Sequence, residues 1–528
     1  MLFNSLPFVC FLVATVLLYY LLPKSWKWQF LLVASYAFYA IADWRYLIFI
    51  TVTTVAVYVA SIGCERLNNE QKKYISDNKA TLTKDEKNDY KSRMKRKRRL
   101  WLVGCLFVTI GILSVTKYTN FVIDNINSVL SGTASLERVE LIVPMGISFY
   151  TFQSVGYVID VYRGKQEAQR NFFKLALFVS FFPQLVQGPI SRYGDLSQTL
   201  YTPHSFDRKT VSYGAMRILW GYFKKVVIAD RLITGVTALI GNTAEYNGSY
   251  VFVAMLFYAF QLYCDFTGGI DITIGIAESM GIRLAENFNL PFLSKSTKEY
   301  WNRWHITMGS WFTDYIFYPI SVSKPMLKLS KWSREHLPKA VAKRLPVYLS
   351  SFVVWFTTGL WHGAAWNFIV WGLANYAVIM ISQELEPLYA KFHSKFKVSG
   401  TPWFETFRIL RTVFLMSSIR MFDCYRDVPT TFRMIWSMFA RPNLGIFTDG
   451  SLLDIGLSLS DYALLLVGLL TVLSVSIIKN RGIDIRTRLY ERSGYAFYNV
   501  MALLAVVILV FGAYGVGYDA SQFIYNQF

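Results

Sequence analysis

The chain has 528 residues, with 54 Lys+Arg against 34 Asp+Glu and a formal net charge of +20. Apolar residues reach 54% and charged residues fall to 17%, where soluble domains carry about 45–50% apolar residues with glycine included and about 25% charged. This composition, with a mean hydropathy of +0.32, excludes disorder, a collagen-like repeat and a small disulfide scaffold. It describes an integral membrane protein, and the apolar segments along the chain make it all-α, with about ten to twelve membrane helices in a single domain spanning 1–528.

The first segment, MLFNSLPFVCFLVATVLLYYLLPKSWK, has no basic region ahead of its apolar run and no A-x-A site. It reads as a retained membrane helix and not as a signal peptide. Spans are expected near Trp28–Ala42 and Tyr46–Gly63. Glu65–Arg99 then forms a polar helical excursion that ends in KSRMKRKRR (Lys91–Arg99), directly before the apolar run Leu100–Thr116. Basic flanks of this kind mark cytoplasmic loops and touch anionic lipid headgroups. A cytoplasmic 65–99 excursion puts Lys24 and Lys27 inside and the N-terminus outside. The same distribution accounts for the net charge without nucleic acid as a partner.

Further apolar segments lie near 100–117, 141–159, 172–188, 213–229, 250–264, 347–381, 406–421, 459–478 and 496–516. Pro144, Pro183, Gly188-Pro189, Gly268-Gly269 and Pro291 are expected to interrupt them. Broken helices persist at membrane depth only where they are buried in protein or line a wet cavity, so an internal chamber is expected. Lys324–Pro346 (the 324–346 basic loop) and, more weakly, Lys479–Arg492 read as further cytoplasmic loops. The five cysteines (Cys10, Cys64, Cys105, Cys264 and Cys424) are widely spaced and odd in number, which favours free thiols packed as small hydrophobes.

Two segments carry chemistry. In SKSTKEYWNRWHITMGSWFTDYIFYPI (Ser294–Ile320), Ser296 and Glu299 form a capping-box pattern that starts a helix at Thr297. If that helix continues, His305 shares a face with Trp301 and Asn302 below and with Met308 and Gly309 above. Arg303, His305 and Asp314 are ionisable groups in an aromatic-rich stretch, and such groups in a membrane are functional candidates. In WFTTGLWHGAAWNFIVWG (Trp355–Gly372), His362 sits inside an apolar run, with Thr358 and Gly359 one helical turn below and Trp366 above. Gly359, Gly363, Ala364 and Ala365 allow close approach of another backbone or of a slender substrate. A neutral imidazole is a natural general base near pH 7. The plainer alternative is that either histidine is an interhelical hydrogen-bond partner. His204, His336 and His393 lie in polar loops and read as solvated surface.

Phosphate-binding, nucleophile-elbow and zinc-protease motifs are absent from the sequence. Asp265 and Asp271 place two carboxylates in an apolar setting; pairing with an arginine or a backbone amide suits them better than glycosidase chemistry.

At these segments the sequence resembles the membrane-bound O-acyltransferases, in the branch of bacterial polysaccharide acetyltransferases; teichoic acid D-alanyl transfer proteins are close cousins. The resemblance runs through PMGISFYTFQSVGYVIDVYRG (Pro144–Gly164), FFPQLVQGPISR (Phe181–Arg192), Gln261–Phe292, Glu299–Ile320 and TGLWHGAAWNFIVWGL (Thr358–Leu373), and extends to the terminal FIYNQF (Phe523–Phe528). Departures are Asp265–Gly269, which reads DFTGG where DFSGY is usual, and a Ser321–Pro346 loop without the usual Gly-Gly-Asn-Arg. The resemblance implies helices ringing a tunnel, with His362 at the family's invariant histidine and His305 at the branch's second. Trp301, Asn302, Arg303, Trp304, Asp314, Trp361 and Asn367 are its supporting residues. It implies no metal and no tightly bound cofactor. The donor is a cytoplasmic thioester, acetyl-CoA or an acyl-carrier protein, and the acceptor is a hydroxyl of an extracytoplasmic polysaccharide or an acetyl-relay partner protein. The location is the cell membrane. The rival readings are D-alanyl transfer, a transporter of donor or glycan intermediates, and a scaffold that only recruits enzymes.

Overall fold

A computed structural model describes residues 4–130 and 135–514. The terminal Phe523–Phe528 match therefore lies outside the described residues. Among the described residues the regular structure is helical throughout, and the strand-like feature is an isolated antiparallel bridge between Phe288 and Trp304. The chain divides into two compact units: Met1–Gly214 with Ile276–Ala285, and Ala215–Gly275 with Glu286–Phe528.

In the first unit, α1 (Leu6–Leu21) begins at the N-cap Ser5, whose side chain accepts from the Phe8 amide, and α2 (Lys27–Ala42) follows. Two long helices come next, α3 (Tyr46–Asp77) and α4 (Lys84–Leu130). They carry the predicted 65–99 excursion, which is helical as expected but continuous with the apolar parts of both. At 47 residues, α4 is about 70 Å long, more than twice the roughly 30 Å hydrocarbon core. Two contacts zip the pair. Tyr74 and Tyr90 stack with centroids 4.0 Å apart near the tip, and Gly63 lies so close to Trp101 that a Cβ there would sit 2.7 Å from the indole. Helix α5 (Ile147–Arg163) is largely buried. Its Gln153 donates to the Phe178 carbonyl at 2.7 Å and accepts from Gln184 at 3.0 Å. His204 corrects the expectation of a solvated loop residue: its ring meets the Thr199 carbonyl at 2.9 Å and lies against Gly281, and its carbonyl accepts from Lys27.

In the second unit, α6 (Arg208–Tyr222) passes into a π-helical turn, Phe223–Ala229, and α7 (Ser249–Ser279) packs beside it. The expected break at Gly268-Gly269 does not occur. The pair sits within the continuous α7, and glycine serves helix contact instead: a Cβ on Gly221 would lie 2.6 Å from the Gly268 carbonyl oxygen. Next come the short helices α8 (Thr297–Arg303) and α9 (Ile306–Phe312). They are followed by α10 (Lys324–His336), α11 (Lys339–His362), α12 (Trp366–Glu384), α13 (Glu386–Phe396) and α14 (Pro402–Tyr425). The 324–346 segment is thus not a loop. Ser323 caps the Met326 amide, Pro325 occupies the first turn where a missing N–H costs nothing, and helix resumes at Lys339. Lys479–Arg492 likewise consists of the end of α15 (Leu459–Asn480) and a helix over Ile485–Arg492; α16 (Gly494–Phe511) follows.

By length and composition, α3, α4, α7, α15 and α16 can each cross a membrane, and α12 with α13, bent by 50°, makes a sixth span if counted as one. Of the other predicted apolar segments, 406–421 lies in the continuous but charge-bearing α14, and several more are shorter or broken. The 172–188 stretch divides into Phe172–Ser180 and a single turn at Phe182–Leu185, and 213–229 changes from α to π geometry. Cys64, Cys105, Cys264 and Cys424 are buried free thiols, and Cys10 is an exposed one.

Candidate functional site

The site lies in the second unit. Helix α8 starts where the capping box predicts: the Ser296 side chain accepts from the Glu299 amide at 3.2 Å, and the Glu299 carboxylate reaches back to the Lys295 amide at 2.8 Å. The helix does not continue through His305. It stops at Arg303, Trp304 is extended and bridged to Phe288, and His305 takes left-handed backbone at φ +49° before α9 begins. The expected face shared with Trp301, Asn302, Met308 and Gly309 is therefore corrected. Long-range pairing with residues 287–289 outcompetes local helix propensity here: Asn289 N–H donates to the Arg303 carbonyl, and Ile306 N–H to the Asn287 carbonyl, both at 2.9 Å.

His305 is fully buried. Its Nδ1 lies 3.2 Å from Asn287 Oδ1, which also accepts from the Thr307 amide at 3.1 Å and the Thr307 hydroxyl at 2.8 Å. A backbone N–H on that atom fixes it as the oxygen, so Nδ1 carries the proton and Nε2 of the neutral ring the lone pair. Phe266 meets the imidazole edge-on at 5.0 Å.

His362 is the last residue of α11. Gly363 turns into extended backbone and α12 starts at Trp366. Trp366 is therefore not one turn above His362 on a shared helix, and it is exposed. The small residues do what the sequence suggests and admit another backbone. A Cβ on Gly359 would lie 2.5 Å from the Phe368 carbonyl oxygen, and one on Gly372 would lie 2.5 Å from the Trp355 carbonyl oxygen. Helices α11 and α12 thus touch backbone to backbone, which sets His362 between two indoles, Trp371 at 4.6 Å and Trp361 at 5.0 Å. Trp361 also faces His305 at 6.2 Å, so one indole bridges the two histidines.

The supporting residues divide. Trp301 donates to Asn375 Oδ1 at 3.2 Å and packs edge-on against Trp355 and Trp371. Trp304 is buried and stacks on Tyr300. Asn367 is buried and donates to the Phe422 carbonyl at 3.1 Å, tying the start of α12 to α14. Asn302, by contrast, is exposed. Arg303 pairs with Glu299 one turn back at 2.7 Å, and Asp314 is half-buried in a π turn, Thr313–Phe317.

Sequence reasoning missed Asn287, Trp371 and the pair Arg420–Asp423. Arg420 Nη1 donates to Asp423 Oδ2 at 2.9 Å, and both side chains are buried. The guanidinium lies over three indoles, Trp371 at 4.7 Å, Trp304 at 5.1 Å and Trp301 at 5.6 Å. The signal was present: an arginine and an aspartate three apart inside the apolar run of α14, where unpaired charge is costly. Asp265 and Asp271 are paired, as expected for structural carboxylates, though chiefly with lysines. Lys225 reaches Asp265 at 2.5 Å and Asp230 at 2.7 Å; Asp271 takes Lys224 at 2.6 Å and Arg217 at 2.9 Å.

A helical membrane protein with two buried histidines joined through one indole, beside glycine-packed helices, has the parts for proton transfer at an acyl group. Comparison with known proteins defines the class. Residues 166–423 match the profile of MBOAT, the membrane-bound O-acyltransferase family. The chain is 31% identical over 422 residues to the probable alginate O-acetylase of Azotobacter vinelandii, covering 78% of this chain and 72% of that protein. It is 30% identical over 401 residues to the peptidoglycan O-acetyltransferase of Helicobacter pylori, covering 71% and 67%. With the teichoic acid D-alanyltransferase of Bacillus subtilis it shares 30% identity over 264 residues, covering 49% and 62%. The chain belongs to the membrane-bound O-acyltransferase family and is an O-acyltransferase.

Proposed function

We propose that this protein moves an acetyl group from a cytoplasmic thioester, acetyl-CoA or an acyl-carrier protein, to hydroxyls of an extracytoplasmic polysaccharide, either directly or through a relay partner protein. It acts in the cell membrane, with the N-terminus outside. His362 is the general base, and His305 positions the thioester or shares the proton. The observation that carries this reading is the bridge of the two histidines through Trp361: one ring can take the hydroxyl proton while the other holds the reacting group. A thioester is already activated, so the remaining requirements are a base and close approach of the reactants. Relatives named for acetylation of alginate and of peptidoglycan support acetyl as the group and a glycan as the acceptor.

The test is His362→Ala in the producing cell and in liposomes given labelled acetyl-CoA and glycan. Glycan acetyl esters should disappear, by about 10²–10⁴-fold in rate, with protein amount and membrane insertion unchanged. Normal acetylation would refute the base assignment. Intact donor accumulating inside the liposomes, without transfer, would favour a transporter. The similarity to a D-alanyltransferase supports a second reading, transfer of D-alanine to teichoic acid; label entering from a D-alanyl thioester and not from an acetyl one would select it.

A further inference from the structure

The two histidines account for proton movement but not for the charge that gathers on the carbonyl oxygen when a hydroxyl attacks a thioester. Arg420 stands in the same ring of side chains. Its guanidinium covers Trp371, whose ring is also the 4.6 Å neighbour of His362, and Trp304, the residue next to His305. The residue is 5% exposed. The guanidinium is held by Asp423 through Nη1 and has Tyr300 as a further side-chain partner, whereas the buried Nε–H has no acceptor in hydrogen-bond geometry among the described residues. A buried donor of that kind is costly unless something arrives to accept from it. Pairing with Asp423 also balances the charge of Arg420. A neutral oxygen that becomes negative only during reaction would meet a preorganised donor in dry surroundings.

We propose that Arg420 is a further catalytic residue, its Nε–H reserved for the carbonyl oxygen of the acyl group. This rests on the acyl-transfer reading above. The acceptor hydroxyl oxygen bonds to the thioester carbonyl carbon as its proton passes to His362. The carbonyl π pair moves onto oxygen, and the resulting oxyanion accepts from Arg420. Collapse reforms the carbonyl and breaks the C–S bond, and the departing thiolate takes the proton back from His362. Trp301, Trp304 and Trp371 hold the guanidinium plane, and Asp423 fixes its rotation.

The experiment uses the full chain in liposomes with acetyl-CoA and glycan, comparing wild type, His362→Ala and Arg420→Lys. Lysine keeps the charge and its place over the indoles but has no Nε–H in the guanidinium position. Arg420→Lys should lose about 10²–10³-fold in kcat, with KM for acetyl-CoA changed less than about threefold. A folded Arg420→Lys within about tenfold of wild-type kcat overturns the proposal. A second readout distinguishes a brace from a donor. A dithioacetyl ester, with sulfur in place of the carbonyl oxygen, accepts hydrogen bonds poorly. Measured against the uncatalysed reaction, the wild type should transfer it at least tenfold more slowly than the ordinary thioester, which keeps its carbonyl oxygen, and Arg420→Lys should not discriminate. Should Arg420→Lys fail to fold, the wild-type ratio decides alone, and a ratio below about threefold overturns the proposal. An inactive wild type condemns the acyl-transfer reading itself; an active wild type with a dead His362→Ala and an active Arg420→Lys condemns only the role of Arg420.

Discussion

His305 occupies left-handed backbone at φ +49°, a region in which Asn, Asp and His are enriched and β-branched residues are strained. Alanine at this position removes the ring and also a residue type that tolerates the turn. His305→Asn separates the two effects: transfer should fall at least about tenfold, with the unfolding temperature in detergent within a few degrees of wild type. Asn287→Ala should do the reverse of a surface change. It strips the shared acceptor from His305 and from both Thr307 donors, so about 1–3 kcal/mol of stability should go, along with transfer activity. Asn302→Ala, at an exposed position, should leave both near wild type. The histidines were legible in the sequence because ionisable residues stand out in apolar runs. Asn287 was not, because its role comes from a pairing eighteen residues away along the chain, and Arg420 was readable from its i, i+3 aspartate but passed unnoticed inside a hydrophobic segment.

At the level of elements, the close approach of α11 and α12 through Gly359 and Gly372 is what delivers His362 to its indoles. Gly359→Val must displace the Phe368 backbone, so overpacking should cost about 1–3 kcal/mol or more and lower transfer without touching either histidine. Thermal unfolding alongside the acetylation assay checks this. The charged network on α6, its π turn and α7 gives a contrast. Asp271 is 14% exposed between Arg217 and Lys224, whereas Glu286 is 61% exposed. Asp271→Ala takes the carboxylate from the buried Lys224, while Arg217 keeps Glu286, and should destabilise by about 3 kcal/mol; Glu286→Ala should cost no more than about 1 kcal/mol. The start of α8 was readable from its cap, since capping is local chemistry. Its end was not, because a bridge to Phe288 cuts the helix before His305. Gly268-Gly269 misled for a related reason: glycine weakens a helix in isolation, yet here it lets α6 and α7 meet closely enough to repay that cost.

For the molecule as a whole, the basic excursion between α3 and α4 sets the proposed orientation. In a Cys10→Ser background, where the remaining thiols are buried, Ala80→Cys in the exposed turn between the two helices should react with an impermeant maleimide only from the cytoplasmic side. Labelling of intact cells from outside would invert the topology and with it the assignment of donor and acceptor sides. Membrane character followed from composition and the helical class from the length of the apolar runs, whereas the number of complete spans did not: length and hydropathy locate apolar segments, but π turns, prolines and glycine contacts decide which of them become one unbroken helix.

The α3–α4 hairpin has a practical consequence. Membrane enzymes of this size vanish into their detergent belt in single-particle images, leaving little to align. A paired rod clasped by Tyr74 on Tyr90, with residues 84–99 of α4, polar but for Tyr90 and Met94, adding about 24 Å past its greasy portion, supplies a built-in fiducial. An antibody fragment raised against that tip would give orientation to the particles.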